Sequence, residues 1–417
     1  MARYLFTTWE GGGHVQPLFL VARDLQDRGH TVLILSDVCN DVDAAALGLT
    51  FRPWTTAPSQ TGKRREDDRL KDHEADNPLE VIQRVIDRVM AGPALAYARD
   101  TLAVVDAFKP NAIVSQELLL GVMAAAEARA LPLALFAANI WSLPTLSGFP
   151  PFGAGMLPAT SDEEHAMHAM VTQMSRGLFQ IGLPALNAAR AELGLSPLND
   201  LFAQLDTAHS ILIATSRAFD FAPDLLPVPF AYAGPYLTDP VWAEPAAVPP
   251  GDAPLVLVSF SSLYQAQEAT LKTVIAAVGR LPVRGLVTTG PTLDPIEFPA
   301  PDNVSVVRSA PHQALLDQTA VFVTHAGHGS TLRPLMAGVP ILCLPMGRDQ
   351  HDNAARVVAR QAGLRLAPDA SVEAIAAAIT DLLENDSYRQ AANVLGAAIR
   401  IDQANRSAAA LLEDLVA

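Results

Sequence analysis

Two short segments combine histidines with glycines, and each lies between an apolar run and a stretch with helix-like spacing. The first segment, TTWEGGGHVQP, covers Thr7–Pro17, and the second, FVTHAGHGST, covers Phe322–Thr331. Because glycine has no side chain, such loops let the backbone approach a ligand closely. A helix start that follows offers unpaired amides and the positive end of a dipole to anionic oxygen. This combination predicts binding of a phosphate group.

Polar side chains in the second segment support that prediction. Ser330 and Thr331 can cap the following helix and also donate hydroxyl hydrogen bonds to a ligand. The alternative is a tight strand-to-helix turn that binds nothing. His325 and His328 argue against it, because two polar groups that are costly to bury suggest a use.

The surrounding sequence predicts an α/β fold in two halves. The run RYLFTT, the helical spacing of Leu18, Val21, Ala22 and Leu25, and the run TVLILSD indicate a strand, a helix and a strand. The order repeats with AIVSQ, GVMAAAEARA and PLALFAA. Later, LVLVSF, RGLVTTG, VSVVRS, VFVTH and PILCLP alternate with helix-like stretches, which predicts a second parallel sheet with helices on both faces. Such sheets bind ligands outside the carboxyl ends of their strands.

Proline and glycine crowd between Leu226 and Pro254, which indicates a linker between domains. We therefore expect a first domain over residues 1–226, a linker over 227–254 and a second domain over 255–417. The last helix of the second domain is a candidate for packing back on the first. A chain of 417 residues fits this division, since single cores rarely grow beyond about 250–300 residues.

Composition excludes several classes of protein. The net charge of −15 opposes nonspecific binding to nucleic acid or anionic lipid. The longest apolar stretch, Leu118–Ile140, is interrupted by Glu127 and Arg129, so no membrane span is expected. The N-terminal residues lack the features of an export signal, and we expect a cytoplasmic protein. Cys39 and Cys343 are far apart and lack neighbouring metal ligands, so neither a disulfide framework nor a zinc motif is predicted.

The segment Ser309–Val357, SAPHQALLDQTAVFVTHAGHGSTLRPLMAGVPILCLPMGRDQHDNAARV, resembles the donor-binding signature of family 1 glycosyltransferases, which use nucleotide sugars. The N-terminal glycine loop with its histidine, the YAGP motif and the VSFSS motif fit the same family. The resemblance covers essentially the whole chain and is to the bacterial natural-product or macrolide type. It implies the GT-B fold, in which two Rossmann-like domains with parallel sheets face each other across a cleft.

The resemblance also implies a donor site. The nucleotide base would lie against Ala310, Pro311 and His312. Asp349 and Gln350 would hold the sugar hydroxyls, because a carboxylate and an amide together accept and donate hydrogen bonds. The remaining donor-site positions come from the two glycine loops and one serine: Gly12, Gly13, Ser262, His325, Gly327, Gly329, Ser330 and Thr331. The implied co-substrate is a nucleotide sugar, with neither a cofactor nor a metal.

Two positions depart from the plant members of the family. Those usually have a tryptophan where this chain has Ser309, so base stacking must be weaker or come from elsewhere. They also carry a glutamate for the ribose hydroxyls at the position of Arg333, and a cation cannot accept from hydroxyls. Both uridine-diphosphate (UDP) and thymidine-diphosphate (dTDP) hexoses therefore remain open as donors.

The family analogy makes His14 the catalytic base, and histidine suits that role because its unperturbed pKa lies near working pH. The alternative is a loop histidine that caps the next helix. Many members orient this histidine with an aspartate, and the alignment places Gln116 there, with Glu117 beside it. Gln116 could fix the tautomer but cannot stabilise an imidazolium as a charge would. Glu117 could substitute after a shift of the loop, or a phenolic acceptor could need little help.

The acceptor site is the least specified by the sequence. Aromatic and methionine residues in irregular parts of the first domain suggest an apolar, aromatic or polycyclic acceptor, although core packing explains them equally well: Trp54, Trp141, Phe149, Phe152, Met156 and Phe179. The charged run KRREDDRLKDHEAD, Lys63–Asp76, is most simply a solvated loop or helix face.

Together these features predict an inverting, metal-independent glycosyltransferase that moves a hexose onto a hydroxyl of a hydrophobic small molecule. A sugar-nucleotide epimerase of the same fold is the alternative enzyme, but it would need carboxylates at the anomeric centre where this chain supplies His14. A donor-binding protein with impaired catalysis is the third hypothesis, and only Gln116 supports it.

Overall fold

The structure is a computed structural model that describes residues 1–239, 244 and 246–417. Its first half forms a seven-stranded parallel sheet in the order β3-β2-β1-β4-β5-β6-β7. The strands are β1 Arg3–Thr7, β2 Thr31–Ser36, β3 Thr50–Pro53, β4 Ala112–Gln116, β5 Leu133–Ala137, β6 Ser210–Ile213 and β7 Phe230–Tyr232. The helices are α1 Val15–Asp27, α2 Asp41–Ala46, α3 Pro78–Val85, α4 Ala94–Phe108, α5 Leu120–Ala128, α6 Asp162–Phe179 and α7 Leu183–Glu192.

The second half forms a six-stranded parallel sheet in the order β10-β9-β8-β11-β12-β13. Its strands are β8 Leu255–Ser259, β9 Arg284–Thr288, β10 Val304–Val307, β11 Thr319–Thr324, β12 Ile341–Cys343 and β13 Gly363–Arg365. Its helices are α8 Glu268–Gly279, α9 His312–Leu315, α10 His328–Met336, α11 Gln350–Ala359, α12 Val372–Glu384, α13 Asp386–Ala404 and α14 Ala408–Asp414. The predicted α/β class with two parallel sheets is confirmed.

Both faces of each sheet are buried, which explains why the strands are continuous apolar runs rather than alternating ones. In β1, Leu5 faces one core cluster, while Tyr4 and Phe6 face another. In β8, Val256 and Leu257 likewise belong to different clusters on opposite faces. Within the part of the chain that the structure describes, none of the helices combines the length and apolar character that a membrane span requires.

Strand order reverses at one place in each sheet, between β1 and β4 and between β8 and β11. In open α/β sheets a crevice forms at such a point, outside the carboxyl ends of the strands. The segment around His14 follows β1, and the segment around His325 follows β11. The topology therefore brings each glycine and histidine segment to the crevice of its own domain.

The first sheet extends further along the chain than the sequence indicated. Strand β7, Phe230–Tyr232, pairs with β6 although it falls inside the predicted linker 227–254. The linker therefore begins after Tyr232. Part of that predicted segment, residues 240–243 and 245, lies outside the described residues.

Helix α14 packs against the first domain, not the second. Ala408, Ala409 and Leu412 are buried in a first-domain core cluster. The Tyr4 hydroxyl donates to the Leu412 carbonyl at 3.0 Å, and Glu413 pairs with Arg28 at 2.8 Å. The last helix therefore completes the core of the domain that the N-terminal strand begins.

A buried ion pair joins the domains behind the crevice. Arg356 of α11 donates from Nε and Nη2 to Asp220 Oδ1 at 2.8 and 2.7 Å, and the Tyr232 hydroxyl donates to the other carboxylate oxygen at 2.7 Å. The Arg356 guanidinium also lies 4.5 Å from the centre of the Phe221 ring. Because both charges are enclosed and hydrogen bonded, removal of one leaves an uncompensated buried charge.

We expect Arg356→Met to lower the free energy of unfolding by about 3–5 kcal/mol, because Asp220 would remain buried without its cation. The matched control is Arg280→Ala, which breaks the exposed 2.6 Å pair with Glu373 and should change the free energy of unfolding far less, because water screens exposed charges. Urea unfolding followed by circular dichroism measures both. Equal effects of the two substitutions would contradict a buried, stabilising role for Arg356.

Candidate active site

A cleft of about 1070 Å³ separates the carboxyl ends of the two sheets. Loops after β1 and β4 line it from the first domain, and loops after β8, β11 and β12 line it from the second. This volume is at the upper end of the range usual for small-molecule sites. The segments Thr7–Pro17 and Phe322–Thr331 therefore contribute to opposite walls of one cavity.

The start of α10 is built around Gly327. Its carbonyl accepts from the Ser330 hydroxyl at 3.0 Å and from the Thr331 hydroxyl at 2.9 Å. A Cβ on Gly327 would lie 2.5 Å from His325 Nε2, so the close approach of this ring requires glycine. Gly329 and Ser330 line the cleft, as do Gly327 and His325. Thr331 is fully buried and does not line it, so its predicted ligand contact is wrong and its hydroxyl serves the helix start.

The histidines of this segment are neutral at physiological pH. Burial lowers the pKa of His325 to about 3 and that of His328 to about 4. His325 faces the cleft and stacks with Phe260 at a ring distance of 6.2 Å. His328 Nε2 lies 2.8 Å from the Thr215 hydroxyl of the first domain, so this ring also links the two domains.

Two of the three residues assigned to the nucleotide base line the cleft. Ala310 and His312 line the cleft, whereas Pro311 does not. His312 Nε2 lies 3.2 Å from the Thr288 hydroxyl, and burial with the nearby Arg333 charge lowers its pKa to about 4. The Ser262 residue is exposed and lines the same cavity.

Asp349 and Gln350 lie at the start of α11 and both line the cleft. Gln350 Oε1 accepts from the Met346 amide at 2.8 Å, and its Nε2 donates to Gln265 Oε1 at 2.8 Å. Asp349 accepts from Asn353 Nδ2 at 2.9 Å, and burial raises its pKa. Gln350 thus already shapes the loop before α11, and the Asp349 carboxylate is held by hydrogen bonds that include Asn353 and Asn139.

Arg333, at the position that the resemblance assigns to the ribose, is paired with a carboxylate. Its Nη1 lies 3.1 Å from Asp239 Oδ1, and its Nε donates to the Gly329 carbonyl at 3.2 Å. The guanidinium therefore ties the first turn of α10 to the segment that follows β7. No alignment could indicate this partner, because Asp239 comes from a different part of the chain.

His14 lies immediately before α1 and lines the cleft. Its Nε2 is 3.2 Å from the Trp9 carbonyl oxygen, and the two rings are 5.2 Å apart. A carbonyl only accepts hydrogen bonds, so Nε2 carries the proton and Nδ1 keeps its lone pair. Burial, together with the positive charge of Arg348, lowers the pKa of His14 to about 4. The imidazole is therefore neutral at pH 7.

Gly12 and Gly13 line the cleft next to His14. Gly12 has a φ of +92°, and a Cβ there would lie 2.8 Å from Leu263 Cδ1 of the second domain. Gly13 is exposed and has open space around it. The loop therefore needs glycine at position 12 for its left-handed backbone and for the close approach of the domains.

Gln116 does not orient His14, which corrects the prediction from the alignment. Its Oε1 accepts from the Trp9 indole at 3.2 Å and from the Leu118 amide at 3.0 Å. Trp9 stands between the two predicted partners, with its carbonyl toward His14 and its indole toward Gln116. Sequence reasoning missed Trp9, whose only signal was its place in the glycine segment.

Glu117 lines the cleft but makes no hydrogen bond to His14 in the structure. Its Oε2 is enclosed and has no hydrogen-bond partner. Burial raises the pKa of this carboxyl to about 8. Glu117 is therefore a mostly neutral acid in the empty cleft at pH 7, not a charged partner of the histidine.

The six residues assigned to the acceptor have three different surroundings. Phe152 and Phe179 line the cleft. Trp54 and Trp141 are core residues that do not line the cleft, and their indole groups donate to the Thr8 carbonyl and the Thr145 hydroxyl. Phe149 and Trp141 line a small cavity that shares Phe152 with the cleft, and neither Phe149 nor Met156 lines the cleft itself. Two of these aromatic side chains, Trp54 and Trp141, therefore pack in the core.

Helix α3 supplies apolar contacts that sequence reasoning missed. Val81, Ile82 and Val85 line the cleft, and the helical spacing of these residues could have revealed an apolar face. Leu70 and Leu118 add to the same surface. The first domain's wall of the cleft thus includes an aliphatic surface as well as polar groups.

The charged segment Lys63–Asp76 is not a simple solvated loop. Asp72 pairs with Arg348 of the second domain at 2.5 Å, and the Arg65 guanidinium lies 4.0 Å from the centre of the Tyr264 ring. The segment therefore closes one rim of the cleft by contacts between the domains. Asp68, Asp72 and His73 bring potential metal-ligand atoms within 4.8 Å of one another here, but Asp72 is already engaged by Arg348.

Comparison with known proteins agrees with this architecture. Residues 273–412 match the model of the "Erythromycin biosynthesis protein CIII-like, C-terminal domain" family. The 4'-demethylrebeccamycin synthase of Lentzea aerocolonigenes is 26% identical over 426 aligned residues, which cover 100% of this chain and 99% of that protein.

Solved glycosyltransferase structures share the fold over the whole chain. The glycotransferase of kitacinnamycin superposes with a TM-score of 0.76 at 20% identity and covers 99% of both chains. The spinosyn rhamnosyltransferase SpnG, in complex with thymidine diphosphate, gives a TM-score of 0.69 at 19% identity and covers 100% of both chains. None of these comparisons supports the epimerase alternative. The chain is therefore a glycosyltransferase with the GT-B fold, and its C-terminal part is similar to the EryCIII-like domain.

Proposed function

We propose that the protein is an inverting, metal-independent hexosyltransferase that acts on a hydroxyl of a hydrophobic small molecule. The observation that carries this proposal is that His14 and the start of α10 line the same cleft from opposite domains. One wall offers a proton acceptor, and the other offers backbone amides at a helix start, where a diphosphate is favoured. A nucleotide sugar is then the co-substrate, and no cofactor is needed.

In the proposed reaction His14 Nδ1 takes the proton of the acceptor hydroxyl. The acceptor oxygen forms a bond to the anomeric carbon as the bond from that carbon to the diphosphate oxygen breaks, so the configuration inverts. The charge that develops on the diphosphate is stabilised by the start of α10. The Trp9 carbonyl holds Nε2–H and so keeps Nδ1 unprotonated and available.

We further propose a dTDP-hexose as the donor. Arg333 occupies the position where plant members carry a glutamate for the ribose hydroxyls, and the carboxylate beside it, Asp239, is already paired with its guanidinium. The related fold of SpnG was solved with thymidine diphosphate. The deoxyribose of a dTDP-hexose lacks the second ribose hydroxyl that a glutamate at this position would bind. Replacement of that glutamate by Arg333 therefore weakens binding of a dTDP-hexose less than binding of a UDP-hexose.

His14→Ala should reduce transfer to an alcohol acceptor by about 10²-fold or more, since a positioned general base is worth that much. Donor affinity should stay unchanged, because the histidine acts on the acceptor. Initial rates with a dTDP-hexose and calorimetry with thymidine diphosphate measure the two effects. His165→Ala, at an exposed position on α6, is the control, and full activity in His14→Ala would refute the base assignment.

His325→Ala should weaken binding of thymidine diphosphate by about tenfold, because a cleft-facing ring beside the start of α10 is lost. Calorimetry with thymidine and uridine diphosphates compares the mutant with wild type, and circular dichroism checks its fold. Unchanged affinity for both nucleotides would rule out this donor site. A wild-type preference for uridine diphosphate would contradict the proposed donor alone.

The acid limb of kcat/KM should lie near pH 4 and not near pH 6.5. Burial lowers the pKa of His14 to about 4, so the base stays unprotonated until the pH falls to that value and is then lost. Rates measured from pH 4 to 8 test this, with circular dichroism to exclude acid unfolding. A limb near pH 6.5 without loss of structure would mean that the histidine is more solvated than the structure indicates.

A further inference from the structure

Glu117 is a buried carboxyl that the proposed reaction does not use. Only 4% of the residue is exposed, it lines the cleft, and its Oε2 has no hydrogen-bond partner. Buried carboxyl oxygens are normally satisfied by protein or water, since an unpaired buried polar group is costly. A buried acid at a cleft wall whose oxygen has no hydrogen-bond partner indicates that a ligand supplies that partner.

The position of Glu117 relates it to the reacting hydroxyl. It directly follows Gln116, the last residue of β4, and His14 follows the end of β1. Strands β1 and β4 are neighbours, with Thr7 opposite Ser115. Glu117 and His14 therefore belong to loops that follow neighbouring strands, and both line the same cleft.

Charge on the first domain's side of the cleft favours a cation. Lys63 is the basic residue of this wall, and its Nζ lies 2.5 Å from Asp43 and 3.4 Å from Glu10. Asp76 and Glu117 also line this wall, and among the described residues neither has a cationic side chain in ion-pair contact. Carboxyl groups therefore exceed the cations that could neutralise them.

Protonation of the acid lowers the cost of its burial. Burial raises the pKa of Glu117 to about 8, so the carboxyl carries little charge at pH 7. A cation that enters the cleft favours the ionised form, because opposite charges at close range lower the pKa of an acid. The basic side chains Arg308, Arg333 and Arg348 line the second domain's wall, where they favour an anion, and the charge of Arg348 is partly offset by its ion pair with Asp72.

We propose that the acceptor is a hydrophobic amine whose protonated nitrogen binds Glu117 while a nearby hydroxyl reaches His14. This inference rests on the proposed function and assigns the chemical class of its acceptor. The aliphatic surface of Val81, Ile82 and Val85 contacts the carbon skeleton. A neutral ligand whose carbonyl accepts from protonated Glu117 is the competing outcome.

The test uses two fluorescent probes that differ in one group, pyrenemethylamine and pyrenemethanol. At pH 7 the wild-type protein should bind the amine about tenfold or more tightly, since a hydrogen bond to a charged group is worth that much. Glu117→Gln should remove this preference by weakening the amine and leaving the alcohol unchanged. Asp76→Asn, which removes another carboxylate of the same wall, should retain most of it.

Equal binding of the two probes by wild type, or binding of neither, would overturn the proposal. A Glu117→Gln protein that keeps the preference, with a native circular dichroism spectrum, would also overturn it. An equal loss in Asp76→Asn would reassign the effect to the general charge of the wall. Because these titrations need no sugar donor, a failed transfer assay with an intact amine preference would refute the proposed function and leave this inference standing.

Discussion

Parallel pairing of neighbouring strands is the constraint on which the site depends. Since all strands of each sheet run the same way, all their carboxyl ends meet at one edge. The reversal of strand order between β1 and β4, and between β8 and β11, opens a crevice at that edge in each domain. Polar loops with glycines can lie there at little cost, because the strands behind them already bury the apolar surface.

Burial then sets the chemistry of the groups that the loops carry. His14 and His325 have lowered pKa values, and Glu117 has a raised one, for the same physical reason. A low-dielectric wall disfavours the charged form of an acid and of a base alike. At pH 7 Glu117 is therefore mostly neutral where a solvated carboxyl would be charged, and His14 and His325 stay neutral well below the pH at which a solvated histidine takes up a proton.

Much of this could be predicted from the sequence, because it depends on local pattern. Apolar runs, helical spacing and glycines at loop positions identified the two sheets and placed His14 and His325 at their edges. The partners of those residues could not be predicted in the same way. Trp9 between His14 and Gln116, and Asp239 beside Arg333, are contacts made through space by segments with no shared pattern. Trp54 and Trp141 illustrate the converse, since a tryptophan in an irregular segment packs equally well in a core or a pocket.

The return of α14 to the first domain has a consequence for how the chain is made. Leu412 and Ala408 pack into the same cluster as Tyr4 and Phe6, and Tyr4 and Leu412 are 408 residues apart in the sequence. Domains generally fold as units, the N-terminal one first during synthesis. Here that core stays open until the whole second domain has been translated. Until α14 has been made, the apolar side chains of the first domain that pack against it are not covered.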